Sequence, residues 1–171
     1  NQGILTLPAK KNTGAGTPRK SIRPAGEEPS KRELTGRVEA FTPIEIELVE
    51  RVEQRQLFKD LISRYHYLGY AMPYGARLQY LCYVSRPSRE VVGCLQFSSP
   101  AWRMKVRDQW IGWDDVTRGQ RLQHVVNNSR FLVLGNIRNL ASTLLSCVLK
   151  VLSEDWQRHY GIEPYLVETL V

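Results

Sequence analysis

Apolar and acidic side chains alternate through Ile44-Glu45-Ile46-Glu47-Leu48, with Pro43 just ahead of them. This period-two pattern predicts a half-buried strand that starts at a proline. The period then changes. Leu57, Phe58, Leu61, Ile62 and Tyr65 recur at helical spacing, predicting an amphipathic helix that ends near Leu68-Gly69, where glycine accepts a left-handed cap. Two β-rich runs, residues 78–84 and 91–98, flank Ser85-Arg86-Pro87-Ser88-Arg89-Glu90 and predict an antiparallel hairpin. Residues 102–128 are polar and hold Trp102, Trp110 and Trp113; here the pattern predicts loops and a short helix starting near Asp114 or Asp115. Residues 129–134 form another strand. Asn139 then caps a long helix whose apolar stripe is Leu140, Leu144, Val148, Val151 or Leu152, and Trp156. Gly161 ends it, and residues 165–171 read as a final buried strand.

The predicted order is strand, helix, hairpin, strand, long helix, strand. It is similar to the first two-thirds of the acetyltransferase (GNAT-like) fold, and the fold class expected is α/β, with a mixed, mainly antiparallel sheet flanked by helices. The chain stops where that fold requires a further helix and strand, so the sheet is expected either to lack its C-terminal part or to be completed another way. An open cleft between the strands at Phe131 and Val167 would support a ligand site, and a filled one would favour an assembly role.

Length and composition bring in the rest. At 171 residues, 42% of them hydrophobic, the chain is sized for one core. The formal charge is +7, and residues 1–37 hold eight Lys or Arg against three Glu. They are expected to be a flexible basic arm (1–37) on an α/β domain (38–171). Such an arm suits attraction to a polyanion, or it is simply a solvated tail. Cys82, Cys94 and Cys147 lie far apart among apolar neighbours, which predicts buried free thiols and a reducing cytoplasm. No stretch approaches the roughly 18 apolar residues of a membrane span. Walker A, Gly-x-Gly-x-x-Gly, His-Glu-x-x-His and Gly-x-Ser-x-Gly motifs are missing from the sequence, which argues against ATPases, dinucleotide enzymes, zincins and α/β-hydrolases.

Several groups of residues can carry chemistry. His66 and Tyr67 lie in Arg64-Tyr65-His66-Tyr67-Leu68-Gly69, where an imidazole can be a base, a transition-metal ligand or a packed, hydrogen-bonded ring. Arg103, Arg107, Trp110 and Trp113 interleave cations and aromatics with Asp108, Asp114 and Asp115. That mixture can hold an unpaired base, or it can be a tryptophan-pinned loop with internal salt bridges. Asn127-Asn128-Ser129-Arg130 leads into a strand, where these side chains, Asn128 and Arg130 above all, can line a cleft or satisfy strand-end backbone groups. Glu168, within Tyr165-Leu166-Val167-Glu168-Thr169-Leu170-Val171, is costly to bury unless paired. Asn139 and Ser142 stand where an acetyltransferase carries its glycine-rich phosphate turn, yet residues 136–142 contain no glycine; acyl-CoA binding of the usual kind is not expected, and capping is the alternative role.

Together the segments 64–69, 107–113, 126–132 and 139–142, with Glu168-Thr169, resemble the DruA family, represented in Druantia anti-phage systems and among transposase-like proteins. More distantly, His66-Tyr67, Asn139 and Ser142 are similar to positions of phage Mom-type DNA-modification proteins, with Glu168 near the expected carboxylate. The resemblance implies a defence or mobile-element protein acting on DNA. One reading is a base-modifying transferase, with His66, Tyr67 and Glu168 as catalytic groups, Asn139 and Ser142 as cofactor contacts, and a transition metal as a candidate cofactor. The other is a non-catalytic DNA-binding or assembly subunit. A third, a metal-dependent nuclease, needs carboxylates such as Asp108, Asp114, Asp115 and Glu168 to hold cations. The implied partners are DNA and other defence or transposition proteins, with no membrane.

Overall fold

A computed structural model describes residues 34–169. Five strands form the main sheet: β2 (Ile44–Leu48), β3 (Arg77–Val84), β4 (Glu90–Ser98), β5 (Val125–Val133) and β7 (Leu166–Thr169), in the order β2-β3-β4-β5-β7. All neighbours are antiparallel except β5 and β7, which are parallel. A second sheet is a single parallel pair, β1 (Thr35–Arg37) with β6 (Asn136–Arg138). The fold is therefore mixed α/β with a mainly antiparallel sheet flanked by helices.

Helix α4 (Leu140–Tyr160) covers one face. Its stripe Leu140, Leu144, Val148, Leu152 and Trp156 is buried against Tyr80, Cys82, Leu95, Phe97 and Val126. The stripe resolves the choice at its fourth position in favour of Leu152, which is 2% exposed, over Val151, which is 37% exposed. A polar bond fixes the helix lengthwise: Tyr80 Oη donates to Asp155 Oδ2 at 2.9 Å, with both residues buried. Helix α1 (Val52–Tyr65) packs Phe58 and Ile62 on the other face, over Leu81, Tyr83, Cys94, Leu132 and Leu134.

The outcome differs from the expectation in several places. Helix α1 begins five residues before Leu57, because Gln54 accepts from the Arg51 backbone and reaches Glu47, a polar start that hydrophobic spacing does not register. Residues 35–37, assigned to the arm, form β1, held by pairing with a segment a hundred residues away. The expected flexibility of 1–33, and the last two positions of the final strand, lie outside the described residues. The stretch 102–124 contains two helices, α2 (Lys105–Ile111) and α3 (Asp115–Arg121), and β5 starts at Val125. Asp114 does cap α3, accepting from the Thr117 amide at 2.7 Å. Between the strands at Phe131 and Val167 there is no open cleft at the described end: Val167 pairs with Val126, and the β5–β7 ladder runs from Val125↔Leu166 to Asn128↔Thr169.

Cys82 and Cys94 are buried free thiols and Cys147 is half-buried; burial pushes the Cys94 thiol up to about 12. Among the described residues no helix is long and apolar enough to cross a membrane.

Gly93 on β4 lets α4 approach the sheet. A Cβ there would collide with the Leu144 side chain and lie 3.0 Å from the Leu132 carbonyl oxygen. Gly93→Ala is expected to lower stability by about 1–3 kcal/mol through this overpacking, read as an earlier midpoint in urea unfolding, and an unchanged midpoint would show that α4 is free to shift.

Candidate functional site

Strand alternation places Leu81, Cys94 and Leu132 under α1. Two residues further on, the same sheet face turns polar. Gln79, Gln96 and Arg130 are cross-strand neighbours on β3, β4 and β5. Gln79 Nε2 donates to Gln96 Oε1 at 2.6 Å, and Gln96 Nε2 donates to Ser129 Oγ at 3.1 Å. The register shifts between Gln96 and Phe97, leaving Ser129 as the extra residue of a bulge, and Ser129 Oγ donates to the Gln96 carbonyl at 3.2 Å. The next row is Ser98, Asn127 and Glu168 on β4, β5 and β7. Gln96 is 1% exposed. The hydrogen-bond chain across the strands meets the cost of burying it.

The chain leaving α1 comes down onto this face. Arg130 Nε donates to the Gly69 carbonyl at 3.0 Å and its Nη1 to the Ser129 carbonyl at 2.6 Å, so this guanidinium anchors the 66–69 turn. His66 Nδ1 accepts from the Leu68 amide at 3.2 Å, and its ring stacks on Tyr67 at 4.9 Å. A backbone amide only donates, so Nδ1 is the bare nitrogen and the neutral ring carries its proton on Nε2. Burial lowers the His66 pKa and the positive charge of Arg130 lowers it further. His66 is thus set up as a neutral donor, and acting as a base through Nε2 would require the other tautomer. Tyr67 is 83% exposed.

At the β7 end, α2 and α3 are fastened by a chain of charges. The Arg107 side chain is 3% exposed. Its Nε donates to Asp108 Oδ1 at 3.0 Å, its Nη1 reaches Glu168 Oε2 at 3.3 Å, and Nη1 and Nη2 both donate to the Ala101 carbonyl at 3.0 Å. Arg118 bridges Asp108 at 3.3 Å and Asp115 at 2.7 Å, and Arg103 joins Asp115 at 3.0 Å. Burial raises the Glu168 pKa; Arg107 works against that rise and Asp108 adds to it. For Asp108 desolvation pushes upward, but the hydrogen bond and charge of Arg107, with a backbone bond and Arg118, hold its carboxyl below the usual range.

Of the residues expected to contact DNA, Arg107 is buried and fully engaged inside the protein, Arg103 is paired, and Arg130 is spent on two carbonyls. This is the alternative in which the segment is pinned by internal salt bridges. The aromatic part differs: Trp110 is 78% exposed and Trp102 58% exposed, while Trp113 is half-buried. Asn128 is buried, and Oδ1 of both Asn127 and Asn128 has no hydrogen-bond partner among the described residues. Asn139 and Ser142 lie apart from this cluster, past the far end of β5, whose run from Asn127 to Val133 covers about 20 Å at strand rise. Asn139 takes the left-handed conformation at φ 66° and makes no side-chain cap; its carbonyl accepts from Ser142 Oγ and Thr143 Oγ1. Among the described residues no three His, Cys, Asp or Glu side chains gather to hold a metal: Asp108 and Asp115 are ion-paired and Asp114 is a helix cap. The donor set among the described residues does not fit a metal centre. Gln79, Gln96 and Arg118 were not singled out from sequence, whereas Ser129 was, and its hydroxyl does satisfy a backbone carbonyl. The signal for the first two was a glutamine at matching positions of two apolar β-runs.

Two outcomes follow. Arg107→Met strands Glu168 and the Ala101 carbonyl and should cost on the order of 3 kcal/mol in urea unfolding; a loss under about 1 kcal/mol would mean that solvent replaces the guanidinium. Because the His66 pKa is lower in the folded chain than in the unfolded one, the unfolded state gains the proton first as pH falls below about 6.5. Stability should decline from there towards the depressed folded value, and His66→Gln should remove that part of the decline in melting curves recorded between pH 7.5 and 5.

The family model described as "Druantia protein DruA" matches residues 2–171. A curated relative, Druantia protein DruA of Escherichia coli (strain UMEA 4076-1), is 31% identical over 124 residues, which cover 67% of this chain and 30% of the relative. The chain thus spans under a third of that relative's length. No solved structure matches it. With the family model matched from residue 2 to the last residue, and with this relative beside it, the chain belongs to the DruA family.

Proposed function

We propose that this chain is a DNA-acting part of a Druantia-type anti-phage defence system, and that its working face is the α1-side of the sheet together with α2 and α3. The observation that carries the reading is convergence. Four of the segments quoted for the family, 64–69, 107–113, 126–132 and 168–169, meet across that face through Arg130–Gly69, Arg107–Glu168 and the β5–β7 ladder. Buried Arg–carboxylate pairs are weak devices for stability, so a dedicated network under exposed tryptophans is better explained as holding a surface in shape for a ligand. Of the net charge of +7, residues 1–37 hold eight Lys or Arg against three Glu, so attraction to a polyanion would come mainly from that segment and not from this face. The remaining parts of the longer DruA proteins would supply the other functions of the system, and other defence proteins would be the partners.

A second reading, base modification on an acetyltransferase-like scaffold, is favoured by Glu168. Its carboxyl has a raised pKa and borders a cavity of about 260 Å³ lined also by Met104, Val106, Trp110 and Thr169. A carboxyl shifted in that direction keeps its proton more readily than an ordinary glutamate.

The two separate in a host carrying the complete defence system. Trp110→Asp should abolish protection in plaque assays without altering the melting curve, and protection at wild-type level would sink the proposal. If Glu168→Gln also abolishes protection and removes a modified nucleoside from digested DNA, base modification holds. If Glu168→Gln and His66→Ala both protect normally, it does not.

A further inference from the structure

Beside the tryptophan surface lies a cavity of about 400 Å³ lined by Trp110, Ile111, Trp113, Arg121, His124, Val125, Tyr165 and Leu166, within the size range of about 300–1,000 Å³ for small-ligand sites. His124, Arg121 and Tyr165 belong to none of the segments that suggested the family. One wall is a stacked pair, His124 and Tyr165, with ring centroids 4.7 Å apart and planes at 6°. The pair is pinned from both partners: the Tyr165 amide donates to the His124 carbonyl at 2.8 Å, and His124 Nδ1 donates to the Glu163 carbonyl at 2.7 Å. Trp110 and Trp113 supply two more ring surfaces. Arg121 is exposed and makes no hydrogen bond or ion pair among the described residues, whereas the nearby Arg103, Arg107 and Arg118 are all committed to carboxylates.

We propose that this cavity is a subsite for one unpaired nucleobase of a DNA strand, stacked on the aromatic walls with an adjoining phosphate on Arg121; the proposal rests on the DNA-acting role above and identifies where a strand is gripped. Flat rigid rings together with one unspent guanidinium fit a ligand that is planar and apolar on its faces and anionic at its edge. An aliphatic peptide side chain would use the apolar floor but leave the cation without a purpose. The His124–Tyr165 pair is held by two hydrogen bonds to backbone carbonyls, so little is lost in arranging that wall on binding. Stacking on ring faces is tolerant of base identity, so the subsite selects unpaired over paired DNA rather than one sequence.

Fluorescence anisotropy with the full chain tests this, using a labelled oligothymidine and a blunt duplex of equal length. Tyr165 is 71% exposed and Trp110 78% exposed, so Tyr165→Ala and Trp110→Ala should fold, as equal melting curves would verify. Each should weaken oligothymidine binding by about 5- to 150-fold, the range for loss of one base stack, and leave duplex binding within about two-fold. Arg121→Gln should lower the slope of log affinity against log salt by about one. Tyr74→Ala, at a side chain 99% exposed and outside this cavity, should change nothing. Wild-type oligothymidine affinity in both aromatic variants would overturn the subsite while leaving DNA action intact. No binding of either DNA form would overturn DNA action itself. Oligothymidine binding unaffected while Trp110→Ala breaks a dimer in gel filtration would assign the cavity to a second copy of this chain and overturn the proposal.

Discussion

The Arg107 guanidinium holds α2 and β7 together. It is nearly sealed from solvent, and its donors go to Asp108 on its own helix, to the Ala101 carbonyl ahead of that helix, and to Glu168 on the last strand. Burying a guanidinium is worthwhile only when its charge and donors are answered. Here the answers come from three places in the chain, so the position of α2 over β7 is over-determined. Arg118 extends the arrangement to α3 through Asp108 and Asp115. These two helices are only seven residues each, too short to persist without tertiary support, and the charge network supplies it.

The polar half of the sheet face depends on the same logic applied to neutral groups. Gln79, Gln96 and Ser129 satisfy one another across three strands, and the bulge at Ser129 allows the hydroxyl both to accept from one Gln96 group and to donate to another. The bulge also ends the alternation that runs under α1, so Asn128 passes to the α4 face while Asn127 stays beside Glu168. On either side of this seam sit the turn anchored by Arg130 and the helices anchored by Arg107. Rigid supports beneath an exposed aromatic surface are the arrangement that a binding face requires.

At the start of α4 the Ser142 hydroxyl donates to the Asn139 carbonyl, and Arg107 and Arg130, expected at a DNA-contacting surface, form a framework bonded within the protein. The aromatic side chains and Arg121 remain accessible above it. His66 accepts from the Leu68 amide through Nδ1, and burial together with the Arg130 charge lowers its pKa.

Local pattern determined a good deal about this protein. Alternation in 44–48, the hairpin around Arg86-Pro87, the stripe of α4 and its stop at Gly161 each depend on neighbours within a few residues, so periodicity and turn chemistry expose them. The family likeness was legible for the same reason, since its segments are short and ordered along the chain. What only the tertiary structure decided involves partners far apart in sequence. The β1–β6 pair joins residues a hundred positions apart; the Gln54 start of α1 depends on Glu47; and the fate of Arg107 depends on Glu168, sixty-one residues later. An arginine between tryptophans has the same composition whether it faces a phosphate or a buried carboxylate. Desolvation and the placement of a counter-charge distinguish the two, and both are properties of the packed chain.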